Sequence, residues 1–320
     1  MANAPHPAAA DPLPMVDAHA HFWDLEAHYY PWLCDPDLSP FRYGDTSALR
    51  RRYLPDDYRR DSKGFRVVAL VHVEAEHDPE DPVGETRWLA GIAASDGLPS
   101  ACVCQARLDR AEVDEVLADQ AAVPLVRGIR HKPAAAADPR DARRGAPGSM
   151  DDPAWRRGYA LLARHGLSFD LQTPFWHLDA AAELAADVPE TQIVINHTGL
   201  PADRGEAGLK AWRAALEGVA ARPNVALKIS GLGLPGRPWS VADNGPVVRD
   251  AIAIFGAGRC LFASNFPVDS LVAEFSTIFS GFREITGDLA DDAVAGLFHD
   301  NAVRIYRLDQ PDEQSAKAEA

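Results

Sequence analysis

Short runs of branched and small apolar residues recur along the whole chain: Met15–His19, Val67–Val73, Ala101–Ala106, Leu125–Arg130, Leu167–Leu171, Gln192–Asn196, Val225–Ile229 and Cys260–Ala263. Several are nearly unbroken Val, Ile, Leu and Ala, the pattern of strands buried on both faces. Between them the apolar positions switch to helical spacing. Asp81-Pro82 opens one such segment through Glu85, Trp88, Leu89 and Ile92, and Asp152-Pro153 another through Trp155, Tyr159, Leu162 and Ala163. In each, Asp supplies an N-cap and Pro the first turn. The pattern predicts further helices at 46–61, 110–119, 177–187, 207–221, 246–256 and 269–283. A strand followed by a helix, repeated down the chain, predicts an α/β fold: a single (β/α)8 TIM barrel over residues 15–307. A doubly wound sheet would also alternate, but no glycine-rich fingerprint follows the first strand.

The spare length has a polarity. Long Pro/Gly-rich segments follow strand 1 (22–45), strand 4 (131–151), strand 6 (198–206) and strand 7 (231–246). These are βα loops over the C-terminal face, where barrel active sites lie. The first loop is aromatic (Phe22, Trp23, Tyr29, Tyr30, Trp32, Phe41, Tyr43) and serves equally as a pocket roof, as packing over the barrel mouth, or as an interface in a homo-oligomer.

Composition narrows the class. With 47% apolar and 25% charged residues the chain is an ordinary globular protein. Asp+Glu 47 against Lys+Arg 32 gives a net charge of −15, which argues against a nucleic-acid partner. The four cysteines are too scattered for a disulfide framework, so a reducing, cytoplasmic location is expected. Residues 1–14 lack the basic and apolar regions of a signal peptide and are expected to be a disordered leader, as is the polar tail 308–320. No apolar run approaches the roughly 18 residues of a membrane span, so no membrane is expected.

The motif with most chemical content is Asp17-Ala18-His19-Ala20-His21 at the end of the first strand. Histidines at i, i+2 on a strand point to one side, here into the barrel mouth. They suit either one divalent metal or a polar substrate. His197 ends the sixth strand in the same way, where a lone histidine otherwise serves as a core or cap residue. Arg130 and Lys228 are cations inside apolar strands and need anionic partners. An internal salt bridge with Asp17, Glu74 or Asp170 and the binding of an anionic small-molecule substrate are equal readings. Glu74, just after strand 2, shares parity with His72. Asp269 in Asp269-Ser270-Leu271 reads as the N-cap of the helix after strand 8.

Taken together, DAHAHFWD at 17–24, VHVEAEHDPEDPVGETRWL at 71–89, VRGIRH at 126–131, INHTG at 195–199, LKISGL at 227–232 and FASNFPV at 262–268 resemble the amidohydrolase superfamily. Within it the chain is most similar to the branch of sugar lactonases and 2-pyrone-4,6-dicarboxylate lactonase. The resemblance covers residues 15 to about 305 and implies a hydrolase that opens a lactone or similar cyclic ester by water attack. It implies His19, His21 and His197 as ligands of one divalent metal (zinc or manganese), or as direct polarisers of the carbonyl with no metal. Asn265 stands where the superfamily carries its strand-8 aspartate, and an amide accepts no proton at neutral pH. Strand 5 lacks the histidine, and strand 4 the lysine, of dinuclear members, so a dinuclear centre is not expected. Glu74 is the expected replacement, as base or as metal ligand. Arg130, His131 and Lys228, with Trp23 and Trp176, are expected to bind substrate. Two alternatives stand beside this reading: a metal-dependent decarboxylase of the same superfamily, against which Asn265 also counts because those members keep the strand-8 aspartate, and a non-catalytic ligand-binding barrel, which the departure at Asn265 supports.

Overall fold

The computed structural model describes residues 11–36 and 41–309. Eight parallel strands form one sheet in sequence order: β1 (Asp11–Ala20), β2 (Phe65–Val73), β3 (Ala101–Gln105), β4 (Val126–Arg130), β5 (Ser168–Leu171), β6 (Ile193–Ile195), β7 (Val225–Ile229) and β8 (Cys260–Phe262). Helices α1 (Pro55–Asp61), α2 (Gly84–Asp96), α3 (Val113–Ala121), α4 (Pro153–Arg164), α5 (Leu178–Asp187), α6 (Glu206–Ala220), α7 (Val241–Phe255) and α8 (Phe275–Ile285) each follow a strand. This is a (β/α)8 barrel. β1 begins within the segment assigned to the leader, and the remainder of the leader and the tail beyond Asp309 lie outside the described residues.

The barrel closes where the chemistry-bearing motifs meet. At the carboxyl ends of β1 and β8, Asn265 N donates to His19 O at 2.8 Å and His21 N to Phe266 O at 2.8 Å. The buried Asp17 carboxylate accepts Ser264 N at 2.9 Å and the Tyr58 hydroxyl of α1 at 2.9 Å. Closure thus brings residues some 240 positions apart in the chain, such as His21 and Asn265, side by side. Inside the barrel, Val16, Val71, Val103, Val194 and Leu261 form an apolar layer. Ile305 and Tyr306, on the closing helical segment Asn301–Tyr306, join the same cluster. Burying a side chain of this size contributes about 1.5–3 kcal/mol.

Four helix boundaries differ from the sequence pattern, among them α8, which starts at Phe275 and not at 269. Asp152 caps α4, accepting Ala154 N at 2.8 Å, but α2 starts at Gly84 with Val83 as its N-cap, not at Asp81-Pro82. The segment 46–61 yields only a single turn at Ser47–Leu49 and then α1, because Pro55 is best placed at a helix start. α7 begins five residues before the expected 246, capped by the Ser240 hydroxyl, and carries Pro246 within it.

Candidate functional site

Five non-glycine residues with left-handed backbone cluster at the carboxyl ends of the strands: Glu76 (φ 58°) after β2, His197 (52°), Thr198 (58°) and Leu200 (55°) after β6, and Asn265 (58°) after β8. Such conformations cost about 1–3 kcal/mol each and persist only where surrounding contacts over-determine them. Here they turn side chains into a cavity of about 340 Å³, whose walls include His21, His197, Asn265, Arg42, Arg130 and Lys132. Gly231 after β7 (φ 60°) passes beneath this wall. A Cβ there would stand 2.7 Å from both the Arg42 guanidinium and His197 Nδ1.

The imidazoles of His19, His21 and His197 converge, with ring centroids 4.9 Å apart for His19–His21 and 4.7 Å for His19–His197. All three are held well below the usual histidine range, first by burial. Lys228 adds to the effect at His19, Arg130 at His21, and Arg42 at His197. They are neutral at neutral pH, each with one lone pair. His21 Nδ1 lies 2.7 Å from Val73 O and so carries the ring proton, which leaves its Nε2 lone pair facing Asn265 Oδ1 at 3.3 Å. His19 Nε2 is buried without a partner, and His197 Nδ1 lies 3.0 Å from Ser230 Oγ.

The orientation of Asn265 follows from Asp269. The amide Nδ2 donates to Asp269 Oδ1 at 2.6 Å, so Oδ1 must face His21 and the cavity. Asp269 does not cap α8, whose N-cap is Glu274. It lies buried in the turn Val268–Leu271, where it also accepts the Tyr43 hydroxyl at 3.1 Å and approaches the Arg42 guanidinium at 3.7 Å. Burial raises its pKa to about 6 against the opposing pull of Arg42 and these donors.

Two acceptors, His21 Nε2 and Asn265 Oδ1, therefore face each other with nothing between them to donate. Their 3.3 Å separation matches the edge of a tetrahedral metal shell, about 3.4 Å for ligands at about 2.0–2.1 Å. His19 Nε2, unpartnered beside them, completes a donor set for one divalent cation when the ring proton lies on Nδ1, which faces Lys228 Nζ at 3.5 Å. Among the described residues no group of three His, Cys, Asp or Glu side chains is arranged to hold a metal ion, so the fit depends on the Asn265 oxygen.

The other residues expected at the site have clear positions. Glu74 is buried and paired with Arg130, Nε to Oε1 at 2.5 Å, and its second oxygen accepts Glu76 N at 2.7 Å. Arg130 also donates to the Glu74 carbonyl and to Gln172 Oε1 at 3.2 Å. Lys228 is fully enclosed, does not line the cavity, and is bound to Asp170 at 2.7 Å. Asp170 in turn accepts Tyr306 OH and Asn196 Nδ2. His131 borders a neighbouring chamber and accepts Leu108 N at 3.1 Å. Trp23 is buried behind His21, its indole N–H on Arg51 O, and Trp176 donates to Ala136 O. The aromatic loop divides its labour, since Trp32 and Phe41 stack 5.9 Å apart over the cavity while Phe22, Trp23 and Tyr30 pack beneath. Arg42, Lys132 and Ser230 were not foreseen. They lie on loops or strand ends with no local pattern to mark them.

The chain belongs to the amidohydrolase family, whose model matches residues 16–308. It is 40% identical over 294 residues to the uncharacterized protein y4mH of Sinorhizobium fredii, covering 92% of this chain and 98% of that one. It is 30% identical over 304 residues to an L-fucono-1,5-lactonase of Burkholderia ambifaria, covering 92% and 96%. Among solved structures, a Burkholderia multivorans amidohydrolase with bound zinc superposes with a TM-score of 0.75 at 26% identity, covering 92% of this chain and 99% of that one. No helix among the described residues is long and apolar enough to cross a membrane.

Proposed function

We propose that this protein hydrolyses a lactone or related cyclic ester of a small, anionic or sugar-derived molecule. The observation that carries the reading is the opposed pair of acceptors, His21 Nε2 and Asn265 Oδ1, set beside an orphaned His19 nitrogen in a roofed cavity. A divalent cation held by His21, Asn265 and His19 would polarise the lactone carbonyl and lower the pKa of water. Asn265 Oδ1, fixed by Asp269, orients the attacking water. His197, braced through Nδ1 by Ser230, takes the water's proton at Nε2 and returns it to the ring oxygen as the C–O bond breaks. The product is a hydroxy acid, with its new carboxylate near Arg42 and Lys132. Each of these cations stands beside a carboxylate, Arg42 by Asp269 and Lys132 by Glu76, so an anionic group of the substrate would be held by sharing these pairs. Glu74 serves here to hold Arg130 in place and not as the base.

The lactonase-named relative and the zinc-bound structural neighbour support the same chemistry. The test is acid release from a panel of five- and six-membered lactones, with and without added zinc or manganese. Turnover by the native protein and a loss of at least about 100-fold in His197→Gln are expected. Failure to open any lactone faster than buffer, with either metal, would overturn the reading.

A further inference from the structure

A second and larger chamber, of about 720 Å³, opens beside the catalytic cavity. The two share Trp32, Glu76, Arg130 and Lys132 in their walls, so they form one bipartite space. The partition is the Lys132–Glu76 ion pair, and Glu76 holds its side of it from a left-handed backbone. The catalytic cavity alone already falls in the range of about 300–1,000 Å³ that encloses a small molecule. The larger chamber is therefore space beyond the reacting ring.

Its chemistry differs from that of the cavity. The charged side chains along it are already satisfied by one another: Glu74 by Arg130, Glu76 by Lys132, and Asp109 by Arg107 at 2.9 Å. Asp152 is occupied as a helix cap and by Gly148 N at 2.7 Å. His131 is neutral, its pKa held at about 4 by burial. Arg42, whose guanidinium stands 3.7 Å from Asp269 on the catalytic side, lies outside this chamber. Beside these pairs stand flat apolar faces, Pro31, Trp32, Pro79 and Pro82, and one imidazole, His77, whose Nδ1 is buried without a partner. Rigid apolar planes with a single polar nitrogen among them suit a neutral ring better than an anion.

We propose that the larger chamber is a subsite for a neutral, ring-sized substituent, glycosyl or aryl, carried by the lactone that is opened in the smaller cavity. The assignment rests on the lactonase reading for its substrate, but the subsite can be tested without turnover. Ala134 lines the chamber and its backbone is pinned to Gly148 O at 2.8 Å, so Ala134→Trp fills the space from a fixed point outside the cavity of His21 and His197. The measurement is kcat/KM for an unsubstituted hexonolactone and for its O-glucosyl and O-benzyl derivatives. The native protein prefers one of the derivatives, and that comparison decides between a glycosyl and an aryl occupant. Ala134→Trp loses at least about tenfold on the preferred derivative and stays within about twofold on the parent lactone. Ala134→Leu gives an intermediate loss and keeps the comparison readable should the larger residue unfold the loop. Equal losses on all substrates, or no preference in the native protein, would overturn the subsite. Calorimetry with phenyl β-glucoside, which has both ring types and no lactone, separates the two claims. Binding to the native protein and not to Ala134→Trp, with no lactone opened, would sustain the chamber while overturning hydrolysis. No binding and no preference would overturn the chamber alone.

Discussion

Asp269→Asn separates what the buried carboxylate does for catalysis from what it costs in stability. Asp269 accepts on both sides, from Asn265 Nδ2 at 2.6 Å and Tyr43 on one oxygen and from the Gly231 backbone. An amide has one acceptor oxygen, so one of these donors would face an NH2 group, at about 1–3 kcal/mol for a buried unsatisfied donor. The cheapest escape is to turn Asn265 over, which points its NH2 at the cavity in place of the oxygen. Against this, the carboxylate is held at about 6 where an unburied one has 3.8, which is about 3 kcal/mol against the ionised form. Because the folded value is the higher, the native protein keeps a proton that the unfolded chain releases between those pH values. The group favours folding at low pH, and that contribution is lost as pH rises through about 6. The variant is spared the burial of charge. At pH 7.5 the two effects nearly cancel, within about 2 kcal/mol, while kcat falls about 10- to 100-fold. Urea unfolding and initial-rate kinetics on the same preparations measure both. A variant that keeps full activity, or one that unfolds outright at neutral pH, would refute this reasoning.

Asn265→Asp places a second carboxylate 2.6 Å from the first, and two such groups share one proton. Turnover at pH 7 is expected to be unchanged or reduced, and a gain of about tenfold (about 1.4 kcal/mol) would contradict it. Lys228→Met leaves Asp170 buried without its cation and should destabilise by about 3–5 kcal/mol in urea unfolding, while Lys228→Met with Asp170→Leu loses less than the single change. His131, held at about 4 against 6.5 when unburied, stays neutral in the fold while the unfolded chain takes up a proton. Its contribution is present above pH 6.5 and is lost on acidification, by about 2 kcal/mol at pH 5. His131→Asn, which keeps an acceptor for Leu108 N, should flatten the urea midpoint against pH by that amount.

The strands were legible because a strand buried on both faces leaves an apolar run that no other element here imitates. All eight strands of the barrel fall on those runs. Helix starts were harder where Pro competes with context. Asn244-Gly245-Pro246 reads as a loop, yet the Ser240 cap carries α7 through it. In the site, the His19–His21 spacing marked the barrel mouth, since strand parity is a local property. The partners of Asp269 were not legible, because they are set by tertiary approach. Asp269 has the local pattern of a helix cap, but its hydroxyl donor is Tyr43, 226 positions away. Glu74 read both as a base and as one of three carboxylates that could pair a buried cation, and only the approach of the strand ends selects Arg130 for it. For Arg130 and Lys228 the salt-bridge alternative is the one found, with Arg130 still reaching the cavity and Lys228 closed off from it.

Isotope tracing of the product tests the central claim most directly. Lactones of the panel are incubated with the native protein in oxygen-18 water, and the products are examined by mass spectrometry. The account predicts a ring-opened hydroxy acid with one heavy oxygen in its new carboxylate and no carbon dioxide released. Release of carbon dioxide from a carboxylated ring, or recovery of every lactone intact, would contradict it.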